Sequence, residues 1–107
     1  MTDALAGLLG LGARGRKLVI GVSGVRARLQ RGKLAAVVLA ADASPRTREK
    51  VERLAVARGV PVLVGPAAAQ LGLRLGRPPV QAVGVEDRAL ARGMMRLSEE
   101  LRGDTDS

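Results

Sequence analysis

The 107-residue chain predicts an α/β fold: a central four-stranded sheet with helices on both faces. Three observations predict it. Short apolar runs of strand length alternate with stretches whose apolar residues recur at helical spacing. The run Leu34 to Ala41 is apolar without interruption, as suits a strand covered on both sides. Gly32, Gly59 and Gly76 stand where helical stretches would end.

The elements follow in the order αβαβαβαβα. Leu5, Leu8 and Leu9 fall at helical spacing behind Asp3, which can cap a first helix. Gly10, Gly12 and Gly15 then end it. Leu18-Val19-Ile20 reads as a short strand closed by Gly21. Val22, Val25 and Leu29 form the stripe of a second helix, stopped by Gly32. Leu34 to Ala41 is the second strand. Ser44 then offers an N-cap with Pro45 at the first helical position, and Val51, Leu54 and Ala55 supply the third helix's buried face. Val60 to Val64 is the third strand, with Pro61 suited to a strand start or an edge. A short helix containing Leu71 follows Gly65-Pro66, and Val80 to Val85 is the fourth strand. Asp87 can cap the last helix, whose stripe is Leu90, Met94, Leu97 and Leu101. We expect one domain over residues 1–102 and a disordered polar tail over 103–107.

Composition removes whole classes of chemistry. Without Cys there are no disulfides or thiolate sites, and without His there is no imidazole base or ligand. No Phe, Tyr or Trp occurs, so the core is aliphatic and bases cannot stack on aromatic rings. The N-terminus lacks a signal peptide's pattern, and no apolar run approaches a membrane span. The expectation is a cytoplasmic, non-enzymatic protein with no cofactor, no metal and no membrane partner.

Charge points to a polyanion. Net charge is +8, from 18 basic and 10 acidic residues. Residues 1–41 hold seven of the cations (Arg14, Arg16, Lys17, Arg26, Arg28, Arg31 and Lys33) against Asp3 alone. Arg28 and Arg31 lie on the side of the second helix away from Val22, Val25 and Leu29. A helix N-terminus presents free N–H groups and partial positive charge. Gly21, Ser23 and Gly24 would let a phosphate approach that backbone closely. These features are expected to converge into one cradle, with Arg77-Pro78 adding a cation on a rigid loop. Gly32-Lys33 is not a phosphate-binding P-loop, since Leu34 stands where Ser or Thr should be. Asp42 ends a strand as a phospho-acceptor would, but capping or turn structure is the stronger reading.

Four stretches together resemble the kink-turn-binding ribosomal protein family of L-seven-Ae and L-thirty-e, with its small bacterial YlxQ-like members. They are Arg16 to Gly21, Arg31 to Pro45 with its Asp42-Ala43-Ser44-Pro45 turn, Val60 to Gly65, and Gln70 to Gly76. The resemblance implies a three-layer α/β/α sandwich that binds structured RNA, such as kink-turns or related internal loops. We expect a monomer whose partners are ribosomal RNA and ribosome or ribonucleoprotein proteins. It places the site at Gly21 to Arg28, Ala40 to Pro45 (hence Asp42) and Gly76 to Val80. The family's Asn-Glu pair and following Lys match Ser23, Gly24 and Ala27 here. Ser23 keeps one hydrogen-bonding group; Gly24 and Ala27 keep none. A second reading stays open: a protein-interaction module that kept the fold and lost RNA recognition.

Overall fold

The computed structural model describes the backbone of residues 17–106 and the side chains of residues 17–97. The expected first helix, with Leu5, Leu8 and Leu9, lies outside the described residues, as do Arg14 and Arg16. The elements are β1 (Leu18–Ile20), α1 (Val22–Gln30), β2 (Ala36–Leu39), α2 (Pro45–Ala57), β3 (Val62–Val64), α3 (Ala68–Arg74), β4 (Ala82–Val85) and α4 (Arg88–Asp106).

The strands form one mixed sheet in the order β1-β4-β2-β3. β4 lies antiparallel between β1 and β2, with Val19 opposite Gly84 and Val37 opposite Gly84. β2 and β3 run parallel, with Val38 opposite Leu63. β1, β2 and β3 therefore point the same way and β4 runs back. The ends of β1, β2 and β3 and the start of β4 share one end of the sheet.

All four residues of β2 are fully buried. Strand side chains alternate between faces, so β2 feeds both layers. Val37 and Leu39 pack with Val25 and Leu29 of α1 and Val51 and Ala55 of α2. Ala36 and Val38 pack with Leu71 of α3 and Ala91 and Met94 of α4. The result is the three-layer α/β/α sandwich, with α1 and α2 on one face and α3 and α4 on the other. Each large aliphatic side chain buried this way contributes about 1.5–3 kcal/mol.

The local signals land where the residues put them. Ser44 Oγ accepts from Thr47 N at 3.2 Å, with Pro45 opening α2. Asp87 Oδ1 accepts from Leu90 N at 2.8 Å. Gly32, Gly59 and Gly76 follow their helices with φ near +67°, a region open to glycine at little cost.

Strand lengths differ from expectation. The apolar run Leu34 to Ala41 yields only Ala36–Leu39 as strand. Ala40 N donates to Gln81 O and Ala41 N to Pro66 O, so these residues bond to loops rather than to a ladder. Val60 N turns back to Ala55 O, and β3 starts after Pro61, on a sheet edge. At the C-terminus, helix α4 continues to Asp106 through the stretch expected to be a disordered tail. One interior glycine, Gly103, costs a helix only about 1 kcal/mol and need not end it.

Two stability measurements check this packing. Leu39→Ala should cost about 2–5 kcal/mol, read from urea unfolding with an unchanged slope. The N–H of Leu90, and then the Lys17 ammonium, hold the Asp87 carboxyl below its ordinary value of 3.8. Its contribution is therefore present above that value and is lost as pH falls through the lowered one. Melting temperature should fall more steeply below pH 3.8 in the parent than in Asp87→Asn.

Candidate nucleic-acid interface

Four turns meet at the end of the sheet where β1, β2 and β3 finish and β4 begins. Gly21 carries the chain from β1 into α1 with φ 101°, a conformation that a side chain rarely adopts. Its N–H donates to Ala82 O at 2.9 Å, which ties the start of α1 to the start of β4. Gln81, just before β4, bridges to the β2–α2 turn: its Oε1 accepts from Ser44 N at 3.1 Å. Asp42 in that turn accepts from Ala68 N at 2.7 Å and so caps α3 from across the sheet end. The α3–β4 loop folds over α3, where a Cβ on Gly72 would strike the Pro78 carbonyl oxygen.

The three helices that begin here differ in how their first N–H groups are met. Ser44 caps α2, and Asp42 caps α3. At α1 no side chain caps the first turn, and no acidic residue lies in it. Ser23 is exposed there. Arg77 and Pro78 are exposed on the neighbouring loop. This surface can accept an anionic backbone at the start of α1, and Arg77 adds a full charge on the loop that folds over α3 at the same end of the sheet.

The structure separates the remaining expected site residues. Lys17 precedes β1, whereas Gly21 follows it, so the two sit at opposite ends of the sheet. The Lys17 ammonium is 3.0 Å from Asp87 Oδ2. Arg28, two residues before the end of α1, also lies toward that far end, 3.4 Å from Glu86. Arg31 ends the same helix. The single cradle expected from the sequence therefore does not form among the described residues. Sheet order brings the acidic β4–α4 turn beside the start of β1, and that turn neutralises two of its cations.

Gly24 also has a different explanation. A Cβ there would come within 2.7 Å of Val19 Cγ1, so the glycine lets α1 lie close against β1. Arg26 faces α2 rather than the loop end, in a groove shared with Arg46 and Lys50. Sequence reasoning missed both Gln81 and Arg46. Gln81 was visible as the one polar residue in Val80 to Val85, before Glu86; Arg46 carried no local signal.

The chain belongs to the ribosomal protein L7Ae/L30e/S12e/Gadd45 family, whose model matches residues 3–93. A protein of unknown function from Bacillus halodurans superposes with a TM-score of 0.83 at 31% identity, over 87% of this chain and 94% of that one. The 15.5 kD RNA-binding protein of Giardia lamblia superposes with a TM-score of 0.74 at 23% identity, over 94% of this chain and 86% of that one. No curated protein sequence matches the chain.

The Gln81 bridge gives this site a test. Gln81→Ala should leave the fold intact, cost about 0.5–1.5 kcal/mol and speed hydrogen exchange at the Ser44 amide. Unchanged exchange at Ser44 would mean that the bridge does not hold the turn.

Proposed function

We propose that this protein binds structured RNA, without catalysis, through the loop end of its sheet. The observation that carries the proposal is the uncapped start of α1 at Gly21 and Ser23, at the same end of the sheet as the exposed Arg77-Pro78 loop, in a chain of this ribosomal protein family. A phosphate can meet the free N–H groups of α1, and the Arg77 guanidinium can neutralise a second phosphate. The RNA class that fits the reading is a kink-turn or related internal loop, because a bent backbone brings several phosphates to one small surface. Ribosomal RNA is the partner proposed, with the protein a monomer in the cytoplasm and attached to ribosomes or other ribonucleoproteins. No helix among the described residues is long and apolar enough to cross a membrane. The Asp42-Ala43-Ser44-Pro45 turn favours the small YlxQ-like branch of the family.

One observation favours a different role. Ser23, Gly24 and Ala27 stand at the family's Asn, Glu and Lys positions, and Gly24 is demanded by packing against Val19. A module that lost base recognition would keep the fold and bind protein instead.

Salt titration against a kink-turn hairpin and against total ribosomal RNA separates the two readings. RNA binding should weaken steeply with salt, with about 0.7–0.9 of log–log slope for each phosphate contacted. Arg77→Glu should weaken it about fivefold to tenfold, and Lys17→Ala should change it little, since Lys17 is held by Asp87 at the far end. Retention of neither RNA, alongside a stable protein complex, would select the protein-interaction module.

A further inference from the structure

Helices α1 and α2 both follow strands that point the same way, so they run side by side across one face of the sheet. Between them lies a groove of about 410 Å³, lined by Arg26 and Gln30 from α1 and by Arg46, Glu49, Lys50 and Arg53 from α2. The α2 residues recur at helical spacing, so Arg46, Lys50 and Arg53 line one side. Arg46 lies in the first turn of α2, next to the loop end, and Arg53 lies two turns further along.

The charge in this groove is not balanced. Glu49 is engaged by Arg53 at 2.9 Å. Among the described residues, Arg26, Arg46 and Lys50 take part in no ion pair, whereas Lys17, Arg28 and Arg48 each have an acidic partner. Arg26 carries a further sign of an absent partner: its Nε is buried and makes no hydrogen bond. A buried guanidinium N–H left unmatched is costly, and the same side chain lines the groove where an acceptor for the guanidinium would lie.

We propose that the groove between α1 and α2 is a second phosphate-binding track, which holds the backbone of an RNA stem leaving the loop end. The inference rests on the RNA-binding reading above and extends its footprint along a face that the loop end does not include. A phosphodiester oxygen accepts from the Arg26 guanidinium, and Arg46 and Lys50 neutralise phosphates on either side. The contacts address the backbone alone, so the track positions a stem without reading its sequence. Glu49, held by Arg53, discourages a second strand from settling into the same groove.

The test compares two charge-matched double variants on one RNA. Arg46→Gln/Lys50→Gln removes two exposed cations from the groove. Arg92→Gln/Arg96→Gln removes two exposed cations from α4, on the opposite face of the sheet. The probe is a kink-turn hairpin whose stems are at least one helical turn long, read by fluorescence anisotropy across a potassium chloride series. The groove variant should lower the log–log salt slope by about 1.4–1.8 and weaken binding about tenfold at low salt, whereas the α4 variant should change the slope far less. Adding Arg26→Gln should lower the slope again. With the stems trimmed to a few base pairs, groove variant and parent should bind alike.

Equal slopes for the groove variant, the α4 variant and the parent, on an RNA that the parent binds, would overturn the track and leave the loop-end reading standing. A parent that binds no RNA would remove both. An acidic polypeptide captured through Arg46 and Lys50, with the RNA slope unchanged, would also overturn it.

Discussion

The burial of strand β2 from both faces is the constraint on which the rest depends. Its four residues are fully enclosed, bonded to β4 on one side and β3 on the other. Because successive side chains alternate, one strand nucleates two cores. Val37 and Leu39 hold α1 and α2, while Ala36 and Val38 hold α3 and α4. Ala36 and Val38 sit on the face packed by Leu71 and Met94, and Val37 and Leu39 sit on the face packed by Val25, Leu29, Val51 and Ala55. Both faces of the sheet are thus filled by apolar side chains without an aromatic ring. An interior packed near crystal density tolerates few other arrangements.

That arrangement fixes where function can sit. With β1, β2 and β3 parallel to one another and β4 reversed, their following turns gather at one end and the β4–α4 turn lies at the other. The gathered end is rich in loop-to-loop hydrogen bonds: Gly21 to Ala82, Ala40 to Gln81, Ala41 to Pro66, Ser44 to Gln81 and Ala68 to Asp42. These satisfy backbone groups that leave the sheet and hold the turns against each other. Only the first turn of α1 is left without a side-chain cap among the three helices starting there. The opposite end is an electrostatic closure, where Lys17 and Arg28 meet Asp87 and Glu86. Exposed pairs of this kind contribute little to stability, but they do remove those cations from the pool that a polyanion could use.

Basic charge on this protein is therefore sorted by the fold into engaged and open sets. Counting cations along the chain could not do this sorting. Arg28 and Arg26 are two residues apart, yet one faces Glu86 and the other faces α2. Arg46 and Arg48 are equally close, and Arg48 is tied to Ala41 O and Glu52, whereas Arg46 is not. A sequence window sees four similar arginines; the helix period and the neighbouring elements divide them.

What the sequence determined by itself was everything set within a few residues. Ser44 with Pro45, Asp87 before Leu90, and the glycines after α1, α2 and α3 mark helix ends through hydrogen bonds and φ values that local chemistry dictates. The apolar runs located four strands, and the absence of aromatic, His and Cys side chains bounded the chemistry. Only the tertiary structure decided the strand order, and with it every contact between distant residues. Placing β4 between β1 and β2 set Asp87 beside Lys17, and it set Gln81 beside Ser44. It likewise took the packing of α1 on β1 to account for Gly24, and the pairing of α1 with α2 to form the basic groove. Such contacts depend on which surfaces bury each other, a property of the whole chain that no local window contains.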